Sequence, residues 1–277
     1  MQNPYKPDLM EVIGVRQHTV DVKSVRLRFQ DAERAKGFDF RVGQFGIFSA
    51  FGWGESTFNI CSSSTWHDHI EFCFRKVGRV TDALWEAGEG DTLGFRGPYG
   101  NGYPMEHWRG KNLIFLGGGI AMPPIRCAIW YALENRADYG DITIVYGART
   151  VGDLVYADEL DQWAGHPKVR VIRCVDPGGE TPDWKGEIGF VPTVFERAHV
   201  AAGNAVALVI GPPIMIKNTI PVLERLGAKM SDVYTSLENR MKCGIGKCGR
   251  CNAGPVYVCK EGPVFTFENL RDMPMDY

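Results

Sequence analysis

The chain has 277 residues, with 31 Lys and Arg against 33 Asp and Glu, a net charge of −2, and a hydrophobic fraction of 44%. A chain of this length buries enough surface to fold without covalent staples, and two domains with a small appendage are expected. The near-neutral charge gives no reason to expect nucleic acid or an anionic membrane as a partner, and no window reaches the ~18 apolar residues of a membrane-crossing helix. Met1–Leu9 is polar and contains prolines rather than a basic-then-apolar signal, which points to the cytoplasm.

From Glu11 to about Gly97, short β-type runs alternate with turn residues. Val20–Phe29 switches between apolar and polar positions, as a half-buried strand does, and Gln44–Phe51, Phe58–Ser62 and His69–Phe74 follow it. Repeated short strands without long helices predict a small antiparallel barrel. After Lys111 the rhythm becomes strand then helix. Leu113–Leu116, Asp141–Tyr146, Val169–Val175 and Ala205–Ile210 read as strands buried on both faces. Helices are expected over Pro123–Asn135, Ala157–Trp163, Val191–Ala198 and Pro213–Leu226, which makes this half a doubly wound α/β domain. The remaining forty or so residues have little periodicity.

Eight cysteines divide into two groups. Cys61, Cys73, Cys127 and Cys174 stand singly among apolar neighbours, as buried reduced cysteines do. Cys243, Cys248 and Cys251 follow the C-x4-C-x2-C spacing of a plant-type [2Fe–2S] centre, with Cys259 as a fourth ligand. Gly244, Gly246 and Gly249 let the backbone curl so that its N–H groups meet sulfur. A structural zinc site is the rival reading, although zinc ribbons usually pair two C-x2-C knuckles and the first interval here is longer.

Leu113–Pro124 (LIFLGGGIAMPP) runs a buried strand through glycines into a helix, the arrangement that lets phosphate approach backbone and helix N-terminus. Gly117 and Gly119 fill the first two places of G-x-G-x-x-G and Met122 takes the third, so a purely structural turn stays open as an alternative. Ser56–Ser62 (STFNICS) and Arg75–Thr81 (RKVGRVT) read alone as a strand and a basic turn. Beside the other two motifs they suggest a flavin site, with Arg75 and the turn amides facing pyrophosphate.

These constellations, in this order, resemble the ferredoxin–NADP reductase superfamily, and most closely its branch with a C-terminal [2Fe–2S] loop. That branch includes γ subunits of NAD(P)-linked [NiFe] hydrogenases, the B subunit of anaerobic sulfite reductase, dihydroorotate dehydrogenase electron-transfer subunits, and flavin subunits feeding heterodisulfide reductases. Leu237–Phe267, Gly97–Gly102 (GPYGNG), Tyr146–Arg149 and Gly211–Met215 carry the likeness. The dihydroorotate dehydrogenase branch has a longer interval before the fourth cysteine and ranks lower.

The resemblance implies an N-terminal antiparallel six-stranded flavin-binding barrel over 1–106, a doubly wound parallel-sheet NAD(P)-binding domain over 107–232, and a [2Fe–2S] region over 233–277. Phe58, Asn59, Ile60 and Ser62 match the flavin-ring segment, and Arg75, Gly78, Val80 and Thr81 match the FAD pyrophosphate turn. Gly118, Gly119, Pro124, Gly211 and Pro212 match the nicotinamide-nucleotide crevice, and Cys243, Cys248, Cys251 and Cys259 the cluster ligands. One departure is that Ser56 and Phe58 stand where the superfamily has R-x-Y-[ST], which removes a phosphate or ring contact and keeps FMN as an alternative to FAD.

The resemblance further implies an electron-transfer subunit moving electrons between NAD(P)H and a partner redox enzyme, a [NiFe] hydrogenase or heterodisulfide reductase, within a hetero-oligomer. Sulfite reductase and dihydroorotate dehydrogenase are alternative partners, and a non-enzymatic subunit with a zinc knot is the reading from another class. Arg250, Val256, Tyr257 and Phe265 are expected to be partly exposed in the isolated subunit and covered in the complex. No catalytic acid–base residue is required, and none of the six histidines sits in a motif.

Overall fold

The computed structural model describes residues 3–271 and 273. It divides into two compact units, one of Met1–Tyr103, Arg126–Ala128 and Leu237–Val264, the other of Pro104–Ile125, Ile129–Ser236 and Phe265–Tyr277.

In the first unit, strands β1 (Asp8–Gln17), β2 (Val22–Phe29), β3 (Phe45–Ala50), β4 (Gly54–Asn59), β5 (Ile70–Arg75) and β6 (Thr92–Tyr99) form one sheet in the order β4-β3-β6-β1-β2-β5. Every pairing is antiparallel. Two short helices, α1 (Ala32–Lys36) and α2 (Arg79–Glu86), interrupt it. Inward-facing aromatics fill the interior: Phe72 stacks on Phe48 at 4.1 Å, and Phe58 reaches Phe72 at 5.5 Å and Phe74 at 5.7 Å. The edge strands β4 and β5 therefore meet through side chains.

The expected strand Phe58–Ser62 is corrected by this arrangement. β4 ends at Asn59, and the next residues step between the two edges of the sheet. The Ile60 amide donates to the Gln44 carbonyl at 3.1 Å beside β3, and the Cys61 amide to the Glu71 carbonyl of β5 at 2.8 Å. The Ser62 hydroxyl then accepts the Glu71 amide at 3.1 Å. Two consecutive amides thus tie one edge to the other and close the barrel. Glu71, 1% exposed, is held by Arg26 at 3.0 Å and Arg126 at 3.4 Å. Arg126 also donates to the Cys61 carbonyl at 2.9 Å, so these buried charges have partners.

The second unit holds β7 (Asn112–Gly118), β8 (Ile142–Ala148), β9 (Val169–Val175), β10 (Glu187–Ile188), β11 (Ala205–Ile210), β12 (Val233–Ser236) and, later in the chain, β15 (Val264–Thr266). They lie in the order β10-β9-β8-β7-β11-β12-β15. The pairings from β10 through β12 are parallel. β8 and β11 are buried along their whole length; β11 is apolar throughout, as that position requires, and β8 is interrupted only by the buried Thr143. Helices α3 (Met122–Glu134), α4 (Ala157–Ala164), α5 (Val191–Arg197) and α6 (Pro213–Arg225) follow strands. Pro in the first turn of α3 and α6 fits positions whose amides have no intrahelical acceptor. The apolar faces of α5 and α6 pack Val191, Val194, Phe195, Met215 and Leu223 onto the sheet core.

The C-terminal stretch is mostly loop, with the two-residue strands β13 (Asn252–Ala253) and β14 (Val256–Tyr257), then α7 (Val258–Glu261), and α8 (Phe267–Leu270) after β15. Its residues 237–264 group with the barrel unit.

Candidate functional site

β4 is half-exposed along its length, and its alternation sends neighbouring side chains to different tasks. Phe58 joins the aromatic core, while Thr57 turns to the cysteine loop and Glu55 to Arg96 of β6. Asn59 lies on the side of Thr57, about 7 Å along the strand. Its Nδ2 is buried without a hydrogen-bond partner. A buried unsatisfied donor costs stability, so this atom fits a bound acceptor such as a flavin ring. Ile60 and Ser62 are fully buried in the barrel wall.

At the end of β5, Arg75 lies 3.1 Å from Asp21 through its Nε, but off the hydrogen-bonding direction, so that this N–H too is buried and unsatisfied. The Thr81 hydroxyl accepts the amides of Val77 and Gly78, each at 2.9 Å, and donates to the Gly78 carbonyl at 2.8 Å. Gly78 therefore contributes open space rather than a donor, since a Cβ there would meet nothing within 4 Å. The amides free to face an anion are those of the first turn of α2, which helix geometry leaves without an acceptor. Val80 packs on the barrel core. Sequence reading takes Arg75–Thr81 as a basic turn; from Arg79 onward it is instead the start of a helix, Arg79–Glu86, whose free N-terminal amides suit an anion.

Asn59→Ala should weaken flavin affinity about fivefold, from the ~1 kcal/mol net worth of one hydrogen bond. The flavin-free protein should be no less stable, because an unsatisfied donor has gone. Fluorescence titration of the flavin and melting of the flavin-free chain measure both.

In the cysteine loop, Cys243, Cys251 and Cys259 are buried and Cys248 is exposed. The Cys243 sulfur accepts the amides of Ile245 at 3.5 Å, Lys247 at 3.3 Å and Cys248 at 3.4 Å, and the Cys259 sulfur accepts Gly246 at 3.2 Å. Burial pushes the Cys243 thiol up, but these amides outweigh it and bring it down to about 7. Burial, with Cys251 beside it, pushes Cys259 up to about 12. Amides aimed at sulfur suit thiolates that carry an iron–sulfur cluster. Among the described residues no three His, Cys, Asp or Glu side chains gather to hold a single ion; a two-iron cluster would spread its four cysteine ligands over two metals and would not require such a group.

The barrel fixes this loop. The Thr57 hydroxyl donates to the Met241 carbonyl at 3.3 Å and Arg96 to the Cys243 carbonyl at 3.2 Å. Asn101 Nδ2 donates to the carbonyls of Glu261 at 3.0 Å and Val264 at 2.8 Å, while its Oδ1 accepts the Val264 amide at 3.0 Å. Gly244 has φ +75° and lies where a Cβ would stand 2.6 Å from the Tyr99 ring. The Gly97–Gly102 signature thus supplies Tyr99 and Asn101 as the loop's seat. Arg96 and Glu55 lie outside every motif read from the sequence, and Thr57 lies in the STFNICS run without being singled out there.

In the second unit β7 has β8 on one side and β11 on the other, so the strand order reverses between β7 and β11. Gly117 pairs with Ile210, which sets Gly118 beside Gly211 at the carboxyl ends of both strands. A Cβ on Gly118 would lie 2.6 Å from Met215 Sδ and 3.0 Å from Pro212 Cδ, and one on Gly211 2.5 Å from Met215 Cε. Gly118, Gly211 and Pro212 are therefore brought together around Met215. Gly119 has φ +57° with open space where a side chain would be, and its carbonyl accepts the Tyr146 hydroxyl at 2.9 Å. Pro124 is buried in the first turn of α3. Arg149, just past β8, is exposed, and Asp153 accepts the Thr150 hydroxyl at 2.8 Å.

Of the residues expected to face a partner, Arg250 and Tyr257 are exposed and Val256 half-buried. Phe265 is corrected: it is 7% exposed, because β15 carries it into the second sheet.

A closed six-stranded antiparallel barrel followed by a parallel sheet with its switch point at a glycine notch defines the ferredoxin reductase-like fold. The structure of an NADH-dependent reduced ferredoxin–NADP oxidoreductase matches it with a TM-score of 0.76 over 96% of this chain and 90% of that one, at 21% identity. The ferredoxin reductase in carbazole 1,9a-dioxygenase matches with a TM-score of 0.68 over 85% and 72%, at 24% identity. Residues 115–220 match the oxidoreductase NAD-binding domain, and residues 238–271 the iron-sulfur cluster binding domain of dihydroorotate dehydrogenase B. Sulfhydrogenase 1 subunit gamma of Pyrococcus furiosus is 36% identical over 98% of this chain and 94% of that protein. The probable dihydroorotate dehydrogenase B (NAD(+)) electron transfer subunit of Thermococcus kodakarensis is 33% identical over 90% and 92%. The chain belongs to this family of sulfhydrogenase gamma and dihydroorotate dehydrogenase B electron-transfer subunits, and is an electron-transfer oxidoreductase subunit. No helix among its described residues is long and apolar enough to cross a membrane.

Proposed function

We propose that this chain is the subunit of a cytoplasmic redox complex that moves electrons between NAD(P)H and a catalytic partner, holding FAD on residues 1–106, NAD(P)H on 107–232 and a [2Fe–2S] cluster on 233–277. The observation that carries the reading is β4, whose end bears the unsatisfied Asn59 donor, whose Thr57 bonds the cysteine loop at Met241, and whose Glu55 holds Arg96, the donor to Cys243. A flavin, when bound, takes two electrons from a nicotinamide and passes them singly to an iron–sulfur centre. The chain's own groups bind and orient. Asn59 meets the ring edge while Phe58, packed in the aromatic core, backs its strand; Arg75 and the first turn of α2 meet pyrophosphate, and the notch of Gly118, Gly119, Gly211 and Pro212 admits the nucleotide backbone. Cys243, Cys248, Cys251 and Cys259 ligate the cluster as thiolates, and Cys248 faces outward.

The partner is a catalytic subunit of the [NiFe] hydrogenase or heterodisulfide reductase type, docking over Cys248, Arg250 and Tyr257. Likeness to sulfhydrogenase gamma subunits along nearly the whole chain favours the hydrogenase type. Affinity purification from the native cell, without oxygen, tests the proposal. The chain should elute with catalytic redox subunits and contain one flavin and two irons. A colourless zinc protein, or a free monomer that reduces only a small soluble ferredoxin, overturns it.

A further inference from the structure

Arg96 is the one fully buried cation of the barrel unit that touches the backbone of an expected cluster ligand among the described contacts. Its side chain is 2% exposed. It donates to the Cys243 carbonyl at 3.2 Å, to the Tyr99 hydroxyl at 3.3 Å, to the Pro4 carbonyl at 3.5 Å, and to both oxygens of Glu55 at 2.6 and 3.3 Å. Burial works against its charge, but the bond to Glu55 and the contact with Tyr99 hold it protonated. Glu55 is placed differently: its side chain is 41% exposed. The cation is therefore fixed in a poorly screened interior against the cysteine loop, while the anion that balances it faces water. At the loop the two charges do not cancel.

We propose that the Arg96–Glu55 pair sets the reduction potential of the iron–sulfur centre held by Cys243. Arg96 is a fixed positive charge acting through the ligand backbone, and Glu55 is its partly screened counterweight. The inference rests on the cluster reading above. Reduction adds one electron, and so one negative charge, to the group held by the thiolates; a buried cation nearby favours that state, and an anion disfavours it. Both residues are positioning residues. Glu55 belongs to β4, four residues before Asn59, so one strand links the charge at the cluster to the segment expected to meet the flavin.

The test is an anaerobic redox titration of the full chain with its cluster, followed by electron paramagnetic resonance of the reduced centre. Arg96→Met should lower the midpoint by at least the 59 mV that marks a tenfold change in the oxidised-to-reduced ratio of a one-electron couple. Glu55→Gln, which leaves Arg96 seated on Cys243, should raise it by less, because Glu55 is half in water. Arg96→Lys should keep most of the original value. A Glu55→Gln midpoint that is unmoved or lowered overturns the proposal, as does an Arg96→Lys shift as large as that of Arg96→Met. Should Arg96→Met fail to fold, the sign of the Glu55→Gln shift decides the matter, together with an Arg96→Lys midpoint that must fall by less than 59 mV. Purified wild-type chain without iron would refute the cluster reading itself, which separates that failure from this one.

Discussion

Cys248→Ser is expected to strip nearly all iron from the protein while leaving its flavin in place. Cys248 is the exposed cysteine of the four, and the contacts that seat the loop run through other residues: Arg96 to Cys243, Thr57 to Met241 and Asn101 to Glu261 and Val264. The barrel and its flavin-facing edge should therefore keep their shape. Changes that only orient metal ligands already cost about 10–100-fold in metal affinity or activity, so replacing a thiolate ligand with a hydroxyl should cost more. Reduction of a one-electron acceptor should fall about a hundredfold or more, whereas NAD(P)H-dependent reduction of a two-electron dye should stay within about twofold. Iron analysis, the visible spectrum and the two dye assays measure this. Loss of flavin along with iron would show that loop and barrel do not behave as separable parts.

Gly118→Val should raise the Michaelis constant for NAD(P)H at least about tenfold and leave the flavin and cluster spectrum intact. Two effects contribute. A side chain there would run into Met215 and Pro212, which overpacks the sheet core and costs about 1–3 kcal/mol of stability. It would also fill the notch where pyrophosphate approaches the strand ends. The pair Gly118→Val with Met215→Ala separates them, because the smaller residue relieves the collision. A Michaelis constant that stays high in the double variant assigns the effect to the blocked notch. Recovery assigns it to packing alone, and an unchanged constant in the single variant places the nucleotide elsewhere.

How much of this was legible follows from the physics of each element. Ala205–Ile210 is read to the residue, because a strand buried on both faces must be apolar without interruption. Val169–Val175 has the expected bounds, but its burial on both faces is corrected: Arg170 is exposed, and only Cys174 and Val175, where β10 pairs with the strand, are buried. The cysteine loop is legible from spacing, since four ligands to one compact group constrain sequence directly. The helix Arg79–Glu86 escapes because eight residues give little more than two turns of periodicity. The end of β4 escapes for another reason: neither glycine nor proline marks the point where the chain leaves one edge for the other. The Arg96 contacts are the least legible, because they join residues 41 and 147 positions apart. Only the folded barrel brings Glu55, Arg96 and Cys243 together.

The successive amides of Ile60 and Cys61, one bonded to Gln44 and the next to Glu71, also decide where this chain can change length. Residues 51–53 at the β3–β4 hairpin tip are exposed, and an insertion there would extend into solvent. Between Glu55 and Ser62 a single added or deleted residue would turn Phe58 out of the core, swing Thr57 and Asn59 to the wrong side, and break the barrel's closure at once. Natural relatives and engineered variants should therefore vary freely at the tip and hold a constant count along this one strand.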